Sequence, residues 1–198
     1  LPDRDHPVQD LPAEQVRTLL QRAKKQDAQT YALAYLLFGA GLLPEELVQL
    51  ERSHHLYSPR QHLVQVSRGA VRQVPVNQWI MGKRYGSYTN NPLSQWLKSR
   101  KDEVSSLFIT DQDTPWTIAD VLTHWQRVAA ESITLEQTAP TLRQARHTWC
   151  VEMLMKGMTL EDLSILSGWT IEQLQPYDRR AREKAALERA IQLDQRST

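Results

Sequence analysis

Apolar positions in the first third of the chain recur at helical spacing. Val16, Leu19, Leu20 and Ala23 share one stripe. Asp10 can cap that helix, and Pro12 suits its first turn. A second helix is predicted from about Gln29 to Phe38. It is apolar nearly all round, which predicts burial on every side, and Gly39 and Gly41 stop it. Pro44 opens a third helix, PEELVQLER, whose acidic first turn suits the positive end of the helix dipole. The lead-in before these helices, LPDRDHPVQD, holds two prolines and little apolar material, so residues 1–10 read as a linker or extended segment.

The period then changes. HLVQVS (His62 to Ser67) alternates, as does RQVPV (Arg72 to Val76), with Arg68, Gly69 and Ala70 between them. This predicts an antiparallel hairpin, with a further strand at His55 to Tyr57. A loop rich in Gly, Ser, Tyr and Asn covers Met81 to Asn91. Helical patterns resume at Pro92 to Lys101, Thr117 to Ala130 and Thr141 to Lys156. Thr159, with Asp162 three residues on, caps another helix that ends near Gly168. A last, charged helix is predicted from Asp178 to Gln195, with Ala181, Ala185, Leu187 and Ile191 as its stripe. Helices, a small antiparallel sheet, then helices again predict a mostly helical α+β domain with one core over residues 11–198.

Composition narrows the class. The 198 residues, 40% hydrophobic, suit one domain. No apolar run is long enough to span a membrane, and no signal-peptide pattern opens the sequence. The chain begins at Leu1 rather than Met, which points to a processed or trimmed chain. Cys150 is the only cysteine and the histidines are scattered, so neither an internal disulfide nor a zinc spacing is available. That usage fits a reducing, cytoplasmic compartment. The net charge of +1 counts against tight unaided binding to nucleic acid unless the 24 basic residues gather on one face.

The chemistry concentrates in RHTWCVEMLMKGMTLEDLSILSGW, from Arg146 to Trp169, with Tyr177 eight residues further on. This segment resembles the end of the tyrosine recombinase (phage integrase) catalytic domain. There an Arg-His-Thr start leads through two helices and a Gly-His or Gly-Trp pair to a nucleophilic tyrosine. LPAEQVRTLL, FGAGLLPEELVQLERS and HLVQVSRGAVRQVPV resemble earlier segments of the same domain, so the resemblance runs from Leu11 to Arg189. It does not include the family's separate N-terminal DNA-clamping domain.

The resemblance implies a cofactor-free reaction on double-stranded DNA, associated with the nucleoid. A tyrosine hydroxyl attacks a backbone phosphate to form a phosphotyrosine. Two arginines stabilise the charged transition state. A hairpin lysine protonates the leaving oxygen. Carried over, the second arginine is Arg146, the His/Trp position is Trp169, and the nucleophile is Tyr177, one residue nearer Trp169 than usual. Three positions depart: the first arginine falls on Leu43, the lysine on Arg68, and the histidine on Arg143. The implied phosphate-contacting set is Arg68, Arg72, Arg143, Arg146 and His147. Leucine cannot hold a phosphate, and losing one preorganised donor typically costs about 10²–10³ in rate. Arg68 keeps a charge but is a poor proton donor. Arg143 can replace part of the missing cation.

Plainer readings stand beside these. Arg146 alone could be a surface ion-pair residue, and Tyr177, following Pro176, a loop tyrosine. Trp149 reads as core, His147 as packing beside the arginine, and KSRK (Lys98 to Lys101) as a solvated helix end. The segment from Thr159 to Tyr177 also has the look of a helix-turn-helix. The expected function is a DNA-binding recombinase-like domain with weak or lost cleavage. The alternatives are an active recombinase using Arg68, Arg143 and Arg146, or a protein–protein module on the same fold. In the family, the segment after the tyrosine often docks on a neighbouring subunit. That implies an oligomer on DNA through the last helix and a monomer in free solution.

Overall fold

A computed structural model describes residues 7–69, 71–132 and 138–196. Eight α-helices and three strands are found among them, in the order α1 (Ala13–Gln26), α2 (Ala28–Gly39), α3 (Pro44–Leu47), β1 (His55–Ser58), β2 (Gln61–Val66), β3 (Arg72–Pro75), α4 (Pro92–Ser99), α5 (Ile118–Ala129), α6 (Leu142–Met155), α7 (Leu160–Ser167) and α8 (Ile171–Gln195). The sequence's α+β reading therefore holds. Ala70 of the expected hairpin turn lies outside the described residues.

Helix α2 is the centre of the core. It packs against α1, α4 and α6, and Leu33, Tyr35, Leu36, Leu37 and Phe38 are all fully buried. Burial on all sides follows from its nearly uniform apolar sequence. Asp27 caps it by accepting from the Thr30 amide at 2.7 Å. The sheet is antiparallel in the order β1-β2-β3, with His55 opposite Val64 and Val64 opposite Val74. Its end docks on α2 at Gly39, where an added Cβ would come within 2.7 Å of Val76 Cγ1. No helix among the described residues is long and apolar enough to cross a membrane.

Asp10 does not cap α1, which has Pro12 at its cap position and no side-chain cap; Asp10 accepts from Arg180 Nε at 2.8 Å instead. Two further elements differ from expectation. The third helix stops at Leu47, because the chain beyond it is recruited by another segment. The Arg52 amide donates to Ser105 O at 2.8 Å, and that of Leu107 to Leu50 O at 2.9 Å. The last helix starts at Ile171, not Asp178, capped by Thr170, and it runs through Pro176. Tyr177 is thus a helical residue. Proline falls at the sixth helical position, past the first turn, so it removes the bond to Glu172 O while the helix carries on.

Candidate active site

The site is built where α3, β3, α6 and the α7–α8 junction meet. Its centre is a carboxylate. Glu46, 5% exposed, sits in the first turn of α3. Its Oε1 accepts from the Leu43 amide at 2.9 Å and from Arg146 Nη1 at 3.3 Å. Its Oε2 accepts from Arg72 Nη2. One buried anion therefore holds two buried guanidiniums, an arrangement that requires good geometry to offset desolvation.

Each arginine is also tied to backbone. Arg146, 1% exposed on α6, donates Nη1 to Gly41 O at 2.7 Å and Nη2 to Ser167 O. Arg72, on β3, donates Nε to Leu166 O at 2.7 Å and Nη2 to Ser167 O at 3.2 Å. Those carbonyls belong to the last turn of α7, where the helix ends in a left-handed glycine, Gly168 (φ 73°). An orphan helix C-terminus is a natural acceptor for cations. Gly41 is required on the other side. Its φ is +64° and an added Cβ would fall within 2.2 Å of the Trp149 ring.

Aromatic rings close the site. The Arg146 guanidinium carbon lies 4.3 Å from the Trp169 ring centroid and 5.4 Å from that of Trp149. Tyr177 stands edge-on to His147 at 5.1 Å between centroids, and 5.8 Å from Trp169. Its side chain is buried, and that burial holds the phenol well above its usual range, with Arg143 and Arg146 pulling the other way. His147 is pushed down to about 4, first by burial and then by Arg143. It is neutral at pH 7, and its Nδ1 accepts from the Gln9 amide at 3.1 Å, which leaves the proton on Nε2. The Cys150 thiol is raised to about 11 by burial.

Arg146, Trp169, Tyr177, His147 and Arg72 are thus brought together. Arg143 is exposed in the first turn of α6, close enough to act on both His147 and Tyr177. Arg68 is exposed in the hairpin, and only its carbonyl reaches the cluster, accepting from Arg72 Nη1 at 3.4 Å. Leu43, half-buried, is the residue just before α3. Trp149 is core, at 0% exposure. Glu46 is the participant that sequence reasoning missed. As one of two acidic residues in a helix's first turn it reads as a dipole partner, although its spacing from Leu42 and Leu50 puts it on the inward face. A second signal was also available. From Arg52 to Lys101 the chain has nine Lys or Arg and no Asp or Glu, leaving fifteen basic against 23 acidic residues elsewhere.

Residues 9–183 match the Phage integrase family. The chain belongs to that family. The match contains every residue of the cluster, from Gly41 to Tyr177. No curated protein sequence was found to match. Among solved structures, the fold is similar to that of XerA recombinase, at 16% identity over 91% of this chain and 65% of that one (TM-score 0.70). It is also similar to the Tn1549 transposon integrase, residues 82–397, in complex with circular intermediate DNA, at 20% identity over 93% of this chain and 69% of that one (TM-score 0.67). A third similar structure is XerH bound to palindromic difH substrate in a post-cleavage complex, at 15% identity over 96% of this chain and 55% of that one (TM-score 0.72). The chain thus spans 65% of the XerA chain and 55% of the XerH chain. At these identities the likeness establishes the tyrosine-recombinase catalytic fold.

Proposed function

We propose that this chain is a DNA-binding tyrosine recombinase domain whose strand cleavage is weak or lost. The observation that carries the reading is Leu43 at the first-arginine position, beside a pocket that gathers Arg146, Trp169 and Tyr177. A phosphate bound near Tyr177 would meet one family arginine, Arg146, and that arginine already serves Gly41 O, Ser167 O and Glu46. Arg143 is an exposed cation whose charge acts on Tyr177, and it is free to contact phosphate directly. The raised phenol of Tyr177 adds to the barrier, since a protonated nucleophile needs a base to take its proton. DNA complexes among the similar folds support the choice of partner.

The test is a nicked suicide substrate, which traps covalent protein–DNA adduct. The wild-type chain is expected to give little or none, while shifting duplex DNA in a salt-dependent mobility assay. Leu43→Arg is expected to raise adduct formation, and Tyr177→Phe to abolish it. Abundant wild-type adduct that disappears in Tyr177→Phe would establish the active-recombinase alternative. Absence of any duplex shift at low salt would favour the protein–protein module.

A further inference from the structure

A second cation-rich feature lies away from the pocket. The chain after β3 makes a 3₁₀ turn at Gln78–Met81 and reverses at Gly82 (φ 82°). The result is a cleft of about 450 Å³, lined among others by Asn77, Trp79, Lys83, Arg84 and Tyr88. That volume is in the range of small-ligand sites. Trp79 is 40% exposed, and Lys156 Nζ sits over its ring at 5.4 Å. Arg17 abuts Gly82, within 2.8 Å of where a Cβ would stand. Lys83 and Arg84 are exposed and in no ion pair among the described residues. Arg84 Nε donates to Gly86 O at 2.9 Å, which orients the guanidinium. Lys156 follows the end of α6, ten residues from Arg146, or about 15 Å along the axis. The cleft is therefore not part of the pocket.

We infer that this cleft binds a nucleotide unit, its base stacked on Trp79 or Tyr88 and its phosphate held by Lys83 and Arg84. An aromatic platform beside unpaired cations matches both halves of a nucleotide. An apolar ligand would not need the cations, and an inorganic anion would not need the rings. Among the described residues no Asp or Glu lines the cleft, so its own walls do not repel a phosphate. A free nucleotide and a nucleotide within a single strand present the same chemistry.

The test is an NMR titration that follows the indole N–H of Trp79, assigned with Trp79→Phe. The probes are dTMP and the tetramer (dT)4. The Trp79 resonance is expected to move in a saturable way with (dT)4. Lys83→Glu/Arg84→Glu, at two exposed positions, is expected to weaken binding at least about tenfold. Tyr177→Phe is expected to bind like the wild-type chain. An equal response to dTMP identifies a free-nucleotide site, and a response to the tetramer alone identifies a strand site. A Trp79 resonance that neither probe moves, or unchanged affinity in the double variant, overturns the inference. Duplex DNA shifted by that same double variant would show that the proposed function survives such a failure.

Discussion

Removing Glu46 is the sharpest test of how the pocket is held together. Among the described residues the Glu46 carboxylate is the one anion that both arginines share. Both guanidiniums are nearly dry, with side-chain exposures of 7% for Arg72 and 1% for Arg146. Glu46→Ala leaves two buried cations facing each other without their anion, and it removes the acceptor for the Leu43 amide. Breaking a buried pair this way costs about 3–5 kcal/mol, because the remaining charge is uncompensated. That is a large share of the roughly 5–15 kcal/mol that stabilises a typical domain. Glu46→Gln keeps the volume and one acceptor oxygen, so its loss is expected to be smaller, near 2–3 kcal/mol. The neighbouring Glu45→Ala serves as a control and is expected to stay within about 0.5 kcal/mol. Urea unfolding measures the difference. The midpoint should fall in the order Glu45→Ala, Glu46→Gln, Glu46→Ala, with the slope unchanged. The melting temperature of Glu46→Ala should drop by about 8–16 °C. If Glu46→Ala unfolds at the same urea concentration as Glu45→Ala, the carboxylate does not organise the site and the description of the pocket is wrong.

Gly41→Ala combines a disfavoured positive φ with a clash into the Trp149 ring. It is expected to cost about 2–4 kcal/mol in the same urea assay, and an unchanged midpoint would refute the close approach. Acid should destabilise the fold through three buried histidines, with His55 and His147 lowered to about 4 and His62 to about 3, each chiefly by burial. Their folded values lie below the unfolded value of about 6.5, so the unfolded chain takes up protons first. Stability is then full above pH ~6.5 and falls as pH drops toward 4 and 3. His147→Gln should flatten that fall in melting temperatures taken between pH 7.5 and 4.5, and an identical slope would remove His147 from the account. In free solution light scattering should report a monomer. We propose that α8 carries the contact between copies on DNA; Leu187 and Ile191, at 53% and 59% exposure, are positions where Ser should then weaken assembly without changing the melt.

Much of this was legible because local pattern and tertiary demand agreed. The all-apolar α2, the Thr-capped α6 and α7, and the alternation in β2 and β3 each have one solution that buries their apolar atoms. Reading failed where a distant segment decided the outcome. PEELVQLER is helical by propensity, but pairing with the chain around Ser105–Leu107 pulls residues after Val48 out of the helix. Pro176 signals a break, yet Thr170 supplies a cap and the packing of Leu174, Tyr177 and Ala181 keeps the helix going. The pocket was half legible. Arg146, Trp169 and Tyr177 carry a spacing that can be read, whereas Glu46 is tied in by guanidiniums from distant elements and Arg72 by backbone carbonyls of α7, contacts that have no signature in a sequence.

Helix α8 is uneven along its length. Pro176 lacks the amide that would bond Glu172 O, so the hydrogen-bonded ladder is interrupted just before Tyr177. Beyond it the helix continues unbroken to Gln195, about 27 Å at 1.5 Å per residue. Along the way it is pinned to the body by Arg180 on Asp10 at 2.8 Å and by Lys184 on Glu152 at 2.8 Å. Those two ion pairs stand between Tyr177 and the far end, so the stretch that carries the phenol is an anchored stem, held to α6 and to the chain before α1. Beyond Ala185 the same helix is exposed on every side. One helix thus has two mechanical parts, a fixed stem with Tyr177 on it and a tail that can bend without moving the pocket.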